Sequence, residues 1–241
     1  MHLRISMAFI GVFLMAVLVA CGGGNGTTGS STSSTSKSTA TSTTASIPTA
    51  SGTTCVAPTG DASAYNLVSN QSEASYKVQE QFLNRDLPND AIGTTKNVQG
   101  SFLLTSGSQP VITQLKMSAD LRTLTSDQQR RDDAIKDRWL ESNTYPNATF
   151  VAKNVQVPSN QGQVTFNMTG NMTIHGVTRQ ETFKVTGKLT GDTITGTATT
   201  NILMKNYGFD APSIAGMLTV KDGVTVTFNF TAKKGDCARY L

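Results

Sequence analysis

Few side chains in this sequence combine the type and the spacing that chemistry requires. His175 is one of only two histidines in the 241 residues, and Gly176 follows it between two stretches of alternating apolar residues. A histidine serves as a general base or a metal ligand when other suitable side chains support it, and no cluster of Cys, Asp or Glu lies nearby. The pair His175-Gly176 is therefore interpreted as the two-residue turn of a β-hairpin.

A second candidate for chemistry is the carboxylate group Asp132, Asp133 and Asp137, which has the residue type needed for acid–base catalysis. Basic residues alternate with these carboxylates, so ion pairing on a solvated helical face explains them without catalysis. No Gly-x-Ser-x-Gly motif marks a nucleophilic serine, and no glycine-rich phosphate loop joins a strand to a helix. The sequence therefore predicts no enzyme, no metal site and no cofactor.

Cys21 carries a more specific chemical signal. It follows Leu18-Val19-Ala20 at the end of an almost wholly apolar run that begins at Ile5. That run has the length of a secretion signal and is short for a permanent membrane helix. The four residues resemble the lipobox of bacterial lipoproteins, in which the cysteine sulfur receives a diacylglycerol and the chain is cut before it. Residues 1–20 are therefore predicted to be a lipoprotein signal peptide, the alternative being an ordinary cleaved signal with a chance cysteine.

The remaining chain divides into a linker and a domain. Residues 21–54 begin with the predicted lipidated cysteine and continue almost entirely in Gly, Ser, Thr and Ala, which predicts a flexible linker. The formal net charge of +4 is too mild and too evenly spread to indicate a nucleic-acid partner. No later apolar stretch has membrane-spanning length, so the only predicted membrane attachment is a lipid anchor on an extracytoplasmic protein.

The domain, residues 55–241, contains two further cysteines, Cys55 and Cys237, near its two ends. An even pair in an exported protein predicts a disulfide bond, with two free thiols as the alternative. By the loop-entropy relation such a bond stabilises the fold by roughly 4–5 kcal/mol before strain.

Alternation of apolar and polar residues dominates the domain and predicts antiparallel strands with one buried and one wetted face. Four long stretches show it, within residues 111–121, 164–174, 194–204 and 224–232. Shorter candidate strands lie near residues 65–69, 73–82, 97–104, 148–157, 177–188 and 216–221. Many strands of similar length favour a closed barrel over a sandwich.

One charged segment, Thr125 to Leu140, breaks the alternation and predicts a single helix. Ser126 and Gln129 have the spacing of a capping box, and Ile135 and Trp139 share one face. We expect this helix to cover one part of the all-β domain and to border the mouth of the barrel.

The predicted inner face of the barrel is apolar and rich in methionine, whose adaptable shape suits a long, flexible hydrocarbon. A small barrel of about eight strands either fills its own centre or holds one ligand, so a packed core is the alternative. The candidate ligand-binding residues are Phe102, Leu104, Leu115, Met117, Phe150, Phe166, Met168, Met172, Phe183, Ile202, Met204 and Phe228.

Ordered motifs from about residue 65 to residue 233 resemble the YceI-like family. They are Tyr65, Ser72-x-x-x-Tyr76-x-Val78, Arg131-Asp132-x-x-Ile135, Trp139-Leu140, Tyr145-Pro146-x-Ala148-Thr149-Phe150, Gly170-Asn171-Met172-Thr173-Ile174-His175-Gly176-Val177-Thr178-Arg179 and Met204-x-x-Tyr207-Gly208-Phe209. The predicted signal, the linker and all three cysteines lie outside this resemblance.

The resemblance implies an eight-stranded, lipocalin-like antiparallel β-barrel with one helix inserted between strands. It also implies an elongated apolar cavity for polyisoprenoid lipids, and it carries no catalytic residue onto this chain. We therefore expect a membrane-anchored lipoprotein that carries, stores or sequesters a polyisoprenoid or isoprenoid-quinone-like lipid. The alternative is a non-catalytic cell-envelope module with a filled barrel, serving adhesion or envelope integrity.

Overall fold

The computed structural model describes residues 55–159 and 162–241. The predicted signal peptide, the predicted lipidation site Cys21 and the predicted linker lie outside the described residues. The strands, in chain order, are β1 Ala62–Leu67, β2 Glu73–Phe82, β3 Asn89–Thr95, β4 Val98–Thr105, β5 Val111–Asp120, β6 Asn147–Gln156, β7 Gln163–Ile174, β8 Val177–Thr190, β9 Thr193–Leu203, β10 Ser213–Ile214 and β11 Leu218–Gly235. The described residues contain one α-helix, α1 Gln129–Ala134, which continues as a π-helical turn over Ile135–Trp139. Short 3-10 helices cover Ser69–Gln71, Leu121–Thr123 and Met204–Tyr207.

The strands close into an antiparallel barrel with eight strand positions. β1 and β2 lie one after the other along β11, so they share one position. β3 and β4 share the next position in the same way, β3 beside β2 and β4 beside β1. The order continues through β5, β6, β7, β8 and β9 to β11, which closes the wall. The predicted fold class, an all-β, lipocalin-like barrel of eight antiparallel strands with one inserted helix, is confirmed.

The alternating sequence pattern fixes which face of each strand turns inward. On β7 the residues Met168, Met172 and Ile174 are buried, whereas the threonines and asparagines between them are mostly exposed. β7 and β8 pair from Gln163↔Lys188 to Ile174↔Val177. His175 and Gly176 form the connecting turn with φ angles of 52° and 73°, as a two-residue hairpin of this type requires.

Strand β3 was not predicted from the sequence, because its inward side lacks large apolar residues. Its buried positions are Ala91, Gly93 and Thr95, and the only large apolar side chain, Ile92, points outward and is half exposed. The ring of Tyr76 on β2 occupies the space over Gly93, where an added Cβ would lie 2.2 Å from Tyr76 Cε1. The neighbouring strand thus supplies the apolar surface that β3 itself does not.

The predicted helix exists but is shorter than predicted, and its predicted capping box is wrong. The regular helix begins at Gln129, and its N-cap residue, Gln128, makes no side-chain cap. Ser126 Oγ instead donates to Asp132 Oδ1 at 2.6 Å, and Ser126 N donates to Asp132 Oδ2 at 3.0 Å. The Asp132 side chain therefore holds Ser126, in the segment that leads into the helix, against the first turn of α1.

Two terminal segments, residues 55–61 and 236–241, form a strap on the outer face of β1 and β4. The predicted Cys55–Cys237 disulfide is formed, with Cα atoms 5.6 Å apart. Val56 and Ala238 form an antiparallel bridge, and Ala238 packs with Ala64 and Leu103 in a small cluster outside the barrel. The strap marks one end of the barrel, the strap end; helix α1 and the β2–β3 loop mark the helix end. In the described ranges no helix is long and apolar enough to cross a membrane.

Candidate ligand-binding cavity

The interior of the barrel is a cavity of about 1210 Å³. Ligand pockets commonly measure about 300–1,000 Å³, so the wall residues leave room for a large ligand instead of filling the centre. The structure brings all twelve sequence-predicted residues to the wall of this cavity. They are Phe102, Leu104, Leu115, Met117, Phe150, Phe166, Met168, Met172, Phe183, Ile202, Met204 and Phe228. That they contact a ligand stays a prediction.

A glycine on a wall strand, Gly170, makes room for the aromatic ring of Phe150 at the cavity wall. The rings of Phe150 and Phe183 meet edge to face with centroids 4.9 Å apart. An added Cβ at Gly170 would lie 2.6 Å from Phe150 Cζ and 2.5 Å from the backbone oxygen of Val151. Gly170 therefore allows β6 and the Phe150 ring to approach β7 closely, which places the ring against the cavity wall.

The helix end of the cavity is covered by the segment that the sequence predicted to border the mouth. Ile135, Trp139 and Leu140 all line the cavity, as do Arg130 and Arg131. The helix therefore contributes both apolar and cationic side chains to this end of the chamber.

A buried ion pair at the helix end was missed by the sequence analysis. Arg131 Nη2 lies 2.9 Å from Glu80 Oε2, and Arg131 Nε donates to Glu80 Oε1 at 3.0 Å. The two side chains are only 9% and 5% exposed. Arg131 also pairs with Asp127 one turn earlier. The pair links strand β2 to helix α1 across the cavity end.

The sequence-based assignment of Arg131 and Asp132 to a solvated helical face is therefore wrong. Asp132 is buried and bonded to Ser126, and Arg131 reaches inward to Glu80. The missed signal was the alternation of β2, since Glu80 shares the inward parity of Tyr76 and Val78. A carboxylate at an inward position requires a buried cation, and Arg131 supplies it.

Electrostatics at this end follow from burial. Burial opposes the charged form of Arg131, but hydrogen bonds to Glu80 and Asp127 outweigh it and hold the pKa of Arg131 above its ordinary value. Burial also raises the pKa of Tyr76, whose ring lines the cavity. The helix end thus presents a neutral phenol and an ion pair that is already satisfied internally.

His175 lies apart from the cavity wall. Its ring packs edge to face on Tyr145 and Phe209, with centroids 4.7 and 5.5 Å away. Its Nε2 is 3.7 Å from Glu141 Oε1 and makes no hydrogen bond to the described residues. In those residues no group of three or more His, Cys, Asp or Glu is placed to hold a metal ion. The geometry agrees with the structural role of a hairpin residue.

The wall is incomplete between β6 and β7. These strands pair only from Thr149↔Thr173 to Val151↔Asn171, so their halves toward the strap end are unpaired with each other. Asn154 of β6 has a φ of 54°, a left-handed conformation that interrupts an extended strand. Val157 and Val164, on the two sides of the gap, line the cavity. The strand ladder around the chamber therefore has a gap here, toward the strap end.

A closed eight-stranded antiparallel barrel around a large apolar cavity defines a lipocalin-like class of protein. Comparison with known families makes the assignment specific. Residues 65–232 match the YceI-like domain, and the chain belongs to this family.

Relatives of known sequence and structure agree with this assignment. Proteins of Pseudomonas putida described as UPF0312 protein are 34% identical over 129 residues, which is 50% of this chain and 64% of theirs. The fold is shared with a polyisoprenoid binding domain from Saccharophagus degradans, at TM-score 0.53 and 15% identity, over 72% of this chain and 99% of that one. It is also shared with BcnA of Burkholderia cenocepacia, at TM-score 0.51 and 20% identity, over 69% of this chain and 99% of that one.

Proposed function

We propose that this protein is a membrane-anchored lipoprotein that binds a polyisoprenoid or a similar amphiphilic lipid inside its barrel, as a carrier, store or sequestering protein. The observation that carries the proposal is the open apolar cavity of about 1210 Å³ in a YceI-like domain. A structural neighbour described as a polyisoprenoid binding domain supports the choice of ligand class.

The energetic basis of binding is burial of hydrocarbon. Each methylene moved from water into the cavity contributes about 0.8 kcal/mol. Methionines at positions 117, 168, 172 and 204 line the chamber and adapt to a flexible chain. An isoprenoid chain offers many such groups and no hydrogen-bonding atoms, so it matches a wall with few polar side chains.

The test is native mass spectrometry of the full-length protein purified from a bacterium that processes lipoproteins, followed by organic extraction. A discrete added mass that is released as a prenyl lipid supports the proposal. A clean apo mass that stays apo after incubation with an isoprenoid quinone overturns it.

A matched pair of variants makes the test site-specific. Gly187 lines the cavity, and an added Cβ there meets only the backbone oxygen of Thr195, at an ordinary 3.6 Å. Gly187→Phe therefore fills part of the chamber without displacing the backbone, and we expect it to remove the bound mass. Gly223, exposed on β11 with nothing within 4 Å of its added Cβ, provides the control Gly223→Phe, which retains the lipid.

The anchoring part of the proposal rests on the sequence around Cys21. We expect the protein to incorporate an alkyne-labelled fatty acid and to fractionate with membranes, and Cys21→Ala to lose both properties. Retention of the label in Cys21→Ala would contradict lipidation at this residue. The alternative of a filled-barrel envelope module does not fit the open interior.

A further inference from the structure

An exposed apolar lip projects from the helix end of the barrel. It consists of Leu83 and Leu87 in the loop between β2 and β3, Ile214 of β10, and Met217 in the turn between β10 and β11. Leu83 and Leu87 are 64% and 78% exposed, and the other two side chains are also exposed. Leu83 N donates to Met217 O at 3.0 Å, which holds the two loops together as one surface.

The lip is continuous with the cavity. Ile214 and Met217 are exposed to solvent and also line the chamber. Phe82 and Leu218, next to the lip in the chain, line the chamber as well. An apolar chain that leaves the cavity over these residues crosses little polar surface. The lip therefore has the position of an exit lined with hydrocarbon, and exposing its apolar side chains to water is unfavourable.

Charge at the lip does not select an ionic partner. Arg85, which lies 5.2 Å from the centroid of the Phe82 ring, is adjacent to Asp86 in the same loop. Lys77 and Asp90, on the strands that flank the loop, pair with each other. The surface is therefore apolar with balanced charge, which suits the hydrocarbon boundary of a bilayer better than a charged headgroup layer or a nucleic acid.

The predicted tether is attached at the end opposite the lip but is long enough for the lip to reach a membrane. β11 begins at Leu218 beside the lip and ends at Gly235 beside the strap, so Cys55 leaves the barrel at the opposite end. Its 18 residues span at most about 60 Å. The chain between Cys21 and Cys55 has about 33 residues, with an extended reach of about 110 Å. The tether is thus longer than the barrel and lets the end opposite the strap face the anchoring membrane.

We infer that the lip is a membrane-docking surface: Leu83, Leu87, Ile214 and Met217 enter the bilayer interface, and the lipid ligand passes between membrane and cavity without crossing water. The inference rests on the proposed lipid-binding function and adds the site and direction of exchange.

Docking is tested by depth-dependent fluorescence quenching, which needs no ligand. Trp139 is the only tryptophan, so Leu87→Trp and, as control, Ile92→Trp are each made in a Trp139→Phe background of the full-length lipidated protein. Ile92 is exposed on the outer wall of β3 and does not line the cavity. In vesicles of brominated phosphatidylcholine we expect at least threefold stronger quenching at position 87 than at position 92, unchanged between 0.15 and 1 M salt. Equal quenching at both positions overturns the inference.

Exchange is tested with a pyrene-labelled polyprenol moving from donor vesicles into the protein. We expect Leu83→Glu/Leu87→Glu, at two lip residues that do not line the cavity, to slow transfer at least tenfold and to leave the Kd for the detergent-dispersed probe unchanged. The control Ile92→Glu/Leu203→Glu changes two other exposed apolar residues and should transfer at the wild-type rate. If transfer is lost in both double variants, or in neither, the inference that the lip is the docking surface for lipid exchange is wrong. A wild-type protein that never binds the probe contradicts the proposed function instead, while the quenching result still reports on docking.

Discussion

The residues that decide the chemistry of the cavity are the few that are polar inside an apolar wall. Glu80 and Arg131 are nearly inaccessible to solvent and hold each other through two hydrogen bonds. A buried ion pair contributes little net stability relative to apolar residues, but each charge without its partner is costly. The pair therefore holds α1 against β2 at the helix end of the cavity, and its loss should destabilise this contact.

We predict that Glu80→Ala lowers the free energy of unfolding by about 3–5 kcal/mol, because it leaves the Arg131 guanidinium without its main buried partner. The control Asp90→Ala removes the acid of an ion pair whose side chains are about half exposed, and should cost about 0–1 kcal/mol. Chemical denaturation of the three proteins gives the comparison. A cost below 1 kcal/mol for Glu80→Ala would show that the pair is not buried in solution.

Buried tyrosines make stability depend on pH in the alkaline range. Burial, helped by a hydrogen bond to Glu181, raises the pKa of Tyr207, and burial raises the pKa of Tyr76 and Tyr65. The unfolded chain releases these protons near pH 10, before the folded protein does. The folded state therefore binds more protons above pH 10, and stability falls as pH rises.

We predict that the free energy of unfolding falls above pH 10 by up to about 1.4 kcal/mol per pH unit for each such tyrosine. Tyr207→Phe removes one of these phenols and should make the decline shallower. Urea denaturation at pH 9, 10 and 11 measures the slopes. Identical slopes in the wild type and the variant would contradict a raised pKa at Tyr207.

The strap is the element that the sequence motifs of the family leave unexplained, because it lies outside residues 65–232. It is attached by more than the disulfide. Asn66 Nδ2 donates to Cys237 O at 2.9 Å, and Ser101 Oγ accepts from the backbone N–H groups of Arg239 and Tyr240. These contacts hold the C-terminal segment on the outer face of β1 and β4. The disulfide then joins the N-terminal segment to a C-terminal segment that hydrogen bonds already hold in place.

We predict that Cys55→Ser/Cys237→Ser lowers the free energy of unfolding by about 5 kcal/mol, since the bond closes a loop with a sequence separation of 182 residues. Much of the effect arises in the unfolded chain, so the folded barrel should keep its circular dichroism spectrum and its bound lipid. Denaturation of the variant beside the disulfide-bonded wild-type protein measures the loss. A loss below 1 kcal/mol would mean that the docked strap constrains the chain without the bond.

The free energy of unfolding of the whole molecule should depend on whether a ligand occupies the cavity, because the barrel encloses a chamber and not a packed centre. A ligand that binds only the folded state stabilises it according to its concentration relative to Kd. The cavity wall includes most of the residues that a filled barrel would use as its core, among them Phe102, Met168 and Phe183. The apo barrel therefore lacks part of the packing that its size would otherwise provide.

We predict that adding an isoprenoid quinone at about 100 times its Kd to the delipidated protein raises stability by about 2.7 kcal/mol. For a domain of this size that corresponds to a rise in Tm of roughly 5–11 °C. Gly187→Phe, whose side chain occupies the chamber, should show no ligand-dependent rise, whereas Gly223→Phe should behave like the wild type. Differential scanning calorimetry measures each shift, and a rise in Gly187→Phe equal to that of the wild type would place the binding site elsewhere.

The sequence by itself determined most of the strands and their inward faces, because those determinants are local, whereas the eight-stranded closed barrel was implied by the family resemblance. Period-two alternation marks the inward face wherever the inward residues are large, so it assigns Met168, Phe183 and Phe228 to the interior. The His175-Gly176 turn and the Cys55–Cys237 pairing also follow from residue type and position alone. Strand β3 escaped prediction for the same physical reason, since its inward Ala91 and Gly93 give no alternating signal.

Only the tertiary structure decided what lies inside the barrel and at its ends. Whether twelve apolar side chains fill a barrel or line a chamber depends on the distance between opposite walls once the strands close. No pattern along the sequence records that distance. The Glu80–Arg131 pair joins residues 51 positions apart, and the lip forms where two loops distant in sequence meet at one end of β11. Burial and proximity across the barrel are properties of the closed sheet, so they appear only when the chain is folded.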